Sequence, residues 1–226
     1  MFHYGVLGIA KTADDVRVGV ERVLKSGFVL KAFNCEMVHA QLALDLLEGK
    51  VRVHVPIAYP LGNETLDQKL VDLEYCAEIG VKEDCVCLHY GDILSHEYKK
   101  VEDEVASLVG QFEGPLELAF VIQATLLSDP EIVDVCKAIQ RGGGSRVKVN
   151  TGYGWGTSPE EVALIRRVFG YTFDVHPSGN IRTLDQVEAF LRLGVRTIHT
   201  LSCFEIIDEY VARRTGSSEP GYIHVD

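Results

Sequence analysis

Short apolar runs alternate along this chain with segments whose apolar residues recur at three- and four-residue spacing. The runs predict strands near 3–7 and at FVLKAF (28–33), VRVHVPIAYP (51–60), DCVCLHY (84–90), LELAFVI (116–122), RVKVN (146–150), YTFDVH (171–176) and RTIHTL (196–201). Between them lie helical stretches. MVHAQLALDLLEG ends at Gly49, and in 64–80 Leu66, Leu70, Leu73, Cys76 and Ala77 form one stripe. Further helices are expected near 97–112, at 129–141 and before each of the last two strands. Their starts are punctuated: Thr12 with Asp14 and Asp15, Asp129-Pro130-Glu131, Ser158-Pro159-Glu160-Glu161, and Thr183-Leu184-Asp185-Gln186.

Strict alternation of this kind implies right-handed βαβ units and a parallel sheet. About eight such units in 226 residues match a closed (β/α)8 TIM barrel over 1–226 as one domain. The competing fold, a dinucleotide-binding sheet, needs a Gly-x-Gly-x-x-Gly turn after the first strand. Gly142-Gly143-Gly144 precedes a strand instead, and Gly152-Tyr153-Gly154-Trp155-Gly156 has the wrong spacing and comes late.

A formal charge of -11 repels phosphate backbones and anionic lipid, so nucleic acid and membrane surfaces are poor partners. No apolar stretch reaches the roughly 20 residues of a membrane span, and the N-terminus has no signal-peptide pattern. Six cysteines with no Cys-x-x-Cys pair read as buried, reduced thiols, so a cytoplasmic protein is expected.

Barrel chemistry sits at the C-terminal ends of the strands. Lys148 stands in an apolar strand close to its end. Alternation puts Arg146, Lys148 and Asn150 on one face and Val147 and Val149 on the other, which aims Lys148 into the barrel mouth. Burial disfavours an ammonium, and a free amine condenses with carbonyl compounds. A structural lysine paired with an inward carboxylate would look the same in sequence.

Several motifs taken in order give this chain a resemblance to the 2-deoxyribose-5-phosphate aldolase family along nearly its whole length. They are Gly27-Phe28 through Phe33-Asn34, Ile57-Ala58-Tyr59-Pro60-Leu61-Gly62 with Lys69 after it, and Glu83-Asp84-Cys85-Val86. Lys148-Val149-Asn150-Thr151-Gly152 and His176-Pro177-Ser178-Gly179-Asn180-Ile181-Arg182-Thr183 follow. The resemblance implies a lyase that needs no cofactor or metal and acts on a small carbonyl substrate, with Lys148 forming the imine. The donor would be acetaldehyde-like and the acceptor a small, possibly phosphorylated, aldehyde. A homo-oligomer is expected. Thr151 and Gly152 would belong to the substrate-phosphate loop, with Gly179, Asn180 and Ser202 beside it, and Asn34 would close an early strand at the site.

The departures fall on charged positions. Cys85 stands where the family has a relay aspartate, and His176 where it has a second lysine. Ala119 replaces a further lysine, His3-Tyr4-Gly5 an Asp-His-Thr stretch, and His199 and Leu201 a glycine and a serine. His176 and Cys85 are therefore the candidates for proton transfer, with Tyr90 or Asp92 as helpers. Two alternatives remain open: a metal-dependent lyase holding zinc on His89, His176 and His199, and a non-catalytic relative that kept the barrel.

Overall fold

The structure is a computed structural model that describes residues 1–112 and 114–216. Eight parallel strands alternate with helices. The strands are β1 (Phe2–Val6), β2 (Ala32–Cys35), β3 (Arg52–Ile57), β4 (Glu83–Cys87), β5 (Glu117–Val121), β6 (Arg146–Lys148), β7 (Asp174–His176) and β8 (Ile198–His199). They pair in the order β7-β6-β5-β4-β3-β2-β1-β8. Just beyond β7, Ser178 bridges to His199, and the His199 N–H donates to the Pro177 carbonyl at 3.0 Å. That contact brings the two edges together into a TIM barrel, as the alternation predicts.

The helices are α1 (Ala13–Lys25), α2 (Ala40–Leu47), α3 (Leu66–Ile79), α4 (Tyr90–Leu94), α5 (Tyr98–Phe112), α6 (Asp129–Arg141), α7 (Pro159–Phe169), α8 (Leu184–Arg192) and α9 (Cys203–Thr215). Thr12, Ser158 and Thr183 each cap a helix in a reciprocal box with the third helical residue, which satisfies amides that have no partner inside the helix. At α6 the cap is Ser128, one residue ahead of the predicted Asp129. Its N–H and hydroxyl both donate to Glu131 Oε2, at 2.7 and 2.6 Å.

The apolar core is the layer between strands and helices. Phe33, Val55, Val86, Phe120, Val147 and Val175 face outward against Val20, Leu73, Leu108, Ile139, Ile165 and Val187, all buried. Each such side chain contributes about 1.5–3 kcal/mol by leaving water. With this layer carrying the hydrophobic stabilisation, the residues inside the barrel are free to be polar. Register places His3 opposite His199, Asn34 opposite His54, His54 opposite Glu83, and Lys148 opposite His176. The barrel interior is therefore rich in imidazoles.

Candidate active site

Lys148 ends β6 with its neighbours Val147 and Val149 fully buried in the outer layer, so its own side chain points inward, 2% exposed. Its Nζ donates to Cys85 Sγ at 3.3 Å and lies 5.8 Å from the centre of the Tyr59 ring. No carboxylate lies within ion-pair distance of it among the described residues. Burial holds the Cys85 thiol above its usual range, even with Lys148 beside it. The amine therefore meets a protonated thiol rather than an anion, which removes the structural-pair alternative for this lysine.

Above Lys148 a cavity of about 520 Å³ opens at the C-terminal ends of the strands. The loops after β6 and β7 form one wall by touching backbone to backbone. A Cβ on Gly179 would sit 2.3 Å from the Gly152 Cα, and both residues have positive φ, at 87° and 85°. Only glycine permits that approach. Thr151 is tied down on three sides. Its N–H and hydroxyl donate to Gln123 Oε1 at 3.0 and 2.9 Å, and its carbonyl accepts from the Tyr59 hydroxyl at 3.1 Å. These bonds fix the floor of the phosphate-loop candidate rather than leaving the hydroxyl free.

Of the residues proposed from sequence, Lys148, Asn34, Thr151, Gly152, Gly179, Asn180 and Ser202 all line this cavity. Cys85 touches Lys148 from below. His176 does not reach the cavity. It stands behind His199, with its Nδ1 3.4 Å from His199 Nε2 and its Nε2 3.1 Å from Asp174 Oδ2. Burial lowers the basicity of both rings. The His89, His176 and His199 set does not assemble. His89 is 2.9 Å from Asp92 and lines a separate depression shared with Lys69 and Glu104. Asp92 is drawn away with it, and Tyr90 is half-buried with its hydroxyl turned toward Cys87.

Sequence reasoning missed Arg182, which also lines the cavity, and the cluster beneath Lys148. There His3, His54, His176 and His199 are packed with ring centroids 4.1–6.3 Å apart. Beside them is Glu83, whose Oε1 is 3.2 Å from His3 Nε2 and 3.5 Å from Lys31 Nζ. Burial opposes its ionisation, yet His3, His54 and Lys31 hold the carboxyl well below the usual carboxylate range.

No family model matches the chain. Among known proteins, deoxyribose-phosphate aldolase of Caldanaerobacter subterraneus subsp. tengcongensis is 27% identical over 220 residues, 96% of this chain and 94% of the relative. The Streptococcus sanguinis deoxyribose-phosphate aldolase is 32% identical over 162 residues, 71% of this chain and 73% of the relative. Among solved structures, the deoxyribose phosphate aldolase of Aeropyrum pernix superposes with a TM-score of 0.84 at 24% identity, covering 94% of this chain and 90% of the other. An aldolase called QR15 superposes with a TM-score of 0.87 at 22% identity, covering 94% and 95%.

Proposed function

Because this chain belongs to the deoxyribose-phosphate aldolase family, a family of lyases, we propose that it makes and breaks a carbon–carbon bond through an imine on Lys148. One observation carries this reading: a buried amine at the mouth of the barrel, facing a cavity, with a neutral thiol and no carboxylate against it. The free amine adds to the carbonyl carbon of an acetaldehyde-like donor, and loss of water gives the iminium. That cation takes up the electron pair when the neighbouring carbon passes its proton to a cavity water held by His199, and the same proton later goes to the alkoxide formed on the acceptor. The resulting enamine attacks the acceptor aldehyde, and hydrolysis returns Lys148.

The remaining residues divide by position. Asn34, whose Oδ1 has no partner, and His199 face the cavity and can hold the water and the new hydroxyl by hydrogen bonds. His176 acts one ring back, setting the orientation of His199. Cys85 holds the amine in place. Gly152, Gly179, Asn180 and Ser202, with Arg182 beside them, suit an anionic group on the acceptor. Thr151 anchors that wall. No helix among the described residues is long and apolar enough to cross a membrane. A homo-oligomer is the proposed assembly, in keeping with the tetramer named for the Aeropyrum pernix protein.

The test is borohydride reduction in the presence of acetaldehyde. One ethyl group should appear on the peptide carrying Lys148 and on no other, and Lys148→Ala should lose both adduct and turnover. Full activity in that variant would sink the imine.

A further inference from the structure

The barrel interior below Lys148 is the least satisfied part of the molecule. Eight buried side-chain nitrogen and oxygen atoms lack a hydrogen-bond partner among the described residues. Six of them belong to one cluster; two of these, His3 Nε2 and His176 Nε2, face the carboxylates of Glu83 and Asp174 at 3.2 and 3.1 Å, which leaves His3 Nδ1, His54 Nδ1, Asn34 Oδ1 and Glu83 Oε2 without a partner among the described residues. Buried polar groups ordinarily find partners, so orphans concentrated in one place point to a guest they bind together.

The donor set says what the guest is. One ring nitrogen from each of His3, His54 and His199 lies within 4.8 Å of the other two. These residues come from β1, β3 and β8, so closure of the barrel, not local sequence, assembles them. His3 also has a carboxylate against one nitrogen. Glu83 Oε1 is 3.2 Å from Nε2, which leaves Nδ1 free to ligate. A histidine held between a carboxylate and a metal is a recurrent arrangement that fixes the ring for binding.

We propose that His3, His54 and His199 bind one first-row divalent transition metal, zinc first, in the barrel core beneath Lys148. Three imidazoles suit this class of ion, and they leave a fourth position for water. Tetrahedral Zn–N bonds of about 2.0–2.1 Å require nitrogens roughly 3.4 Å apart, so the rings close inward by about 1 Å on binding. The site stands on the convergence of three ring nitrogens, with His3 and His54 each holding an unpartnered Nδ1 and His199 only long contacts, 3.4 Å to His176 Nδ1 and 3.5 Å to Asn34 Nδ2, and not on the imine reading; its test reads metal binding rather than turnover.

The full-length chain is stripped with chelator, returned to zinc or cobalt, and passed through a desalting column before elemental analysis. One equivalent should be retained, and cobalt should give the visible bands of a four-coordinate nitrogen-rich site. His3→Gln and His54→Gln should each weaken binding by more than the roughly 10–100-fold that loss of an outer partner costs, while His89→Gln leaves it unchanged. Circular dichroism checks that the variants fold. Should they not, the ring-nitrogen NMR signals of the wild type decide: zinc must move those of the buried histidines and spare His39, His89 and His96. Substoichiometric retention by the wild type, full binding by the folded variants, or zinc shifts confined to the exposed rings would each overturn the site.

Discussion

Replacing Lys148 with methionine should abolish turnover and at the same time make the protein more stable. Methionine nearly matches the lysine stem in length and flexibility, so it fills the same space against Cys85 and Tyr59. What it removes is an amine that is 2% exposed and has, among the described residues, a single weak hydrogen-bond partner, a thiol at 3.3 Å. An unsatisfied buried polar group costs about 1–3 kcal/mol, and a charged one more. The Nζ borders a cavity that admits water, so the lower part of that range applies, about 1–2 kcal/mol. For a chain of this size 1 kcal/mol corresponds to about 2–4 °C, which gives a rise of about 2–8 °C. Calorimetry or a fluorescence melt reads the shift, and a retro-aldol assay should show a loss of about 10³-fold or more. A fall of several degrees would mean that the lysine is held by strong structural bonds, and the reasoning for its catalytic role would fail with it.

Two further outcomes follow from other parts of the barrel. Asp84 is fully buried, among the described residues only the Val55 N–H donates to it, at 3.2 Å, and burial pushes its carboxyl up to about 8. Its folded-state value lies above the unfolded one of about 3.9, so its contribution to stability is fully present below about pH 4 and lost as pH rises through 8. Asp84→Asn should flatten that decline in urea unfolding measured from pH 5 to 9, and an unchanged slope would refute the assignment. Gly179→Ala drives a Cβ to 2.3 Å from the Gly152 Cα at a positive φ, and should cost more than about 1 kcal/mol and raise KM for the acceptor by parting the two loops. Unchanged stability and KM would show that the two loops do not need that contact.

The sequence carried the barrel because its evidence is local. Alternation, caps at Thr12, Ser158 and Thr183, and the inward face of Lys148 each depend on a few neighbouring residues. Boundaries were less legible where burial and periodicity part company. The run FVLKAF promises a strand from Phe28, yet β2 begins at Ala32 and Val29 is 93% exposed. The expected strand through Tyr90 stops at Cys87, where the backbone turns into the short α4. The strand expected at 196–201 keeps only Ile198 and His199 as β8, because the barrel closes through Pro177 and Ser178 rather than through a long ladder.

The site was legible only in part, for a different reason. Motif matching located the cavity wall, since Gly152, Gly179, Asn180 and Ser202 lie in two short stretches and a helix start. It placed His176 by sequence order, but the strand register sets His199 between that ring and the cavity. His3 and His54 lie 51 positions apart and carry no shared spacing; only closure of eight strands puts their rings 5.2 Å apart. The substitutions that looked like losses of charge acquire a common sense in three dimensions. Burying a ring that can stay neutral costs less than burying a charged carboxylate or ammonium. A barrel that exchanges charged groups for histidines lowers the cost of its polar interior, and among the described residues it leaves no carboxylate within ion-pair distance of Lys148. The same exchange leaves ring nitrogens without partners among the described residues, so the proposed imine lysine with no carboxylate beside it and the proposed cation cluster are two results of one change in composition.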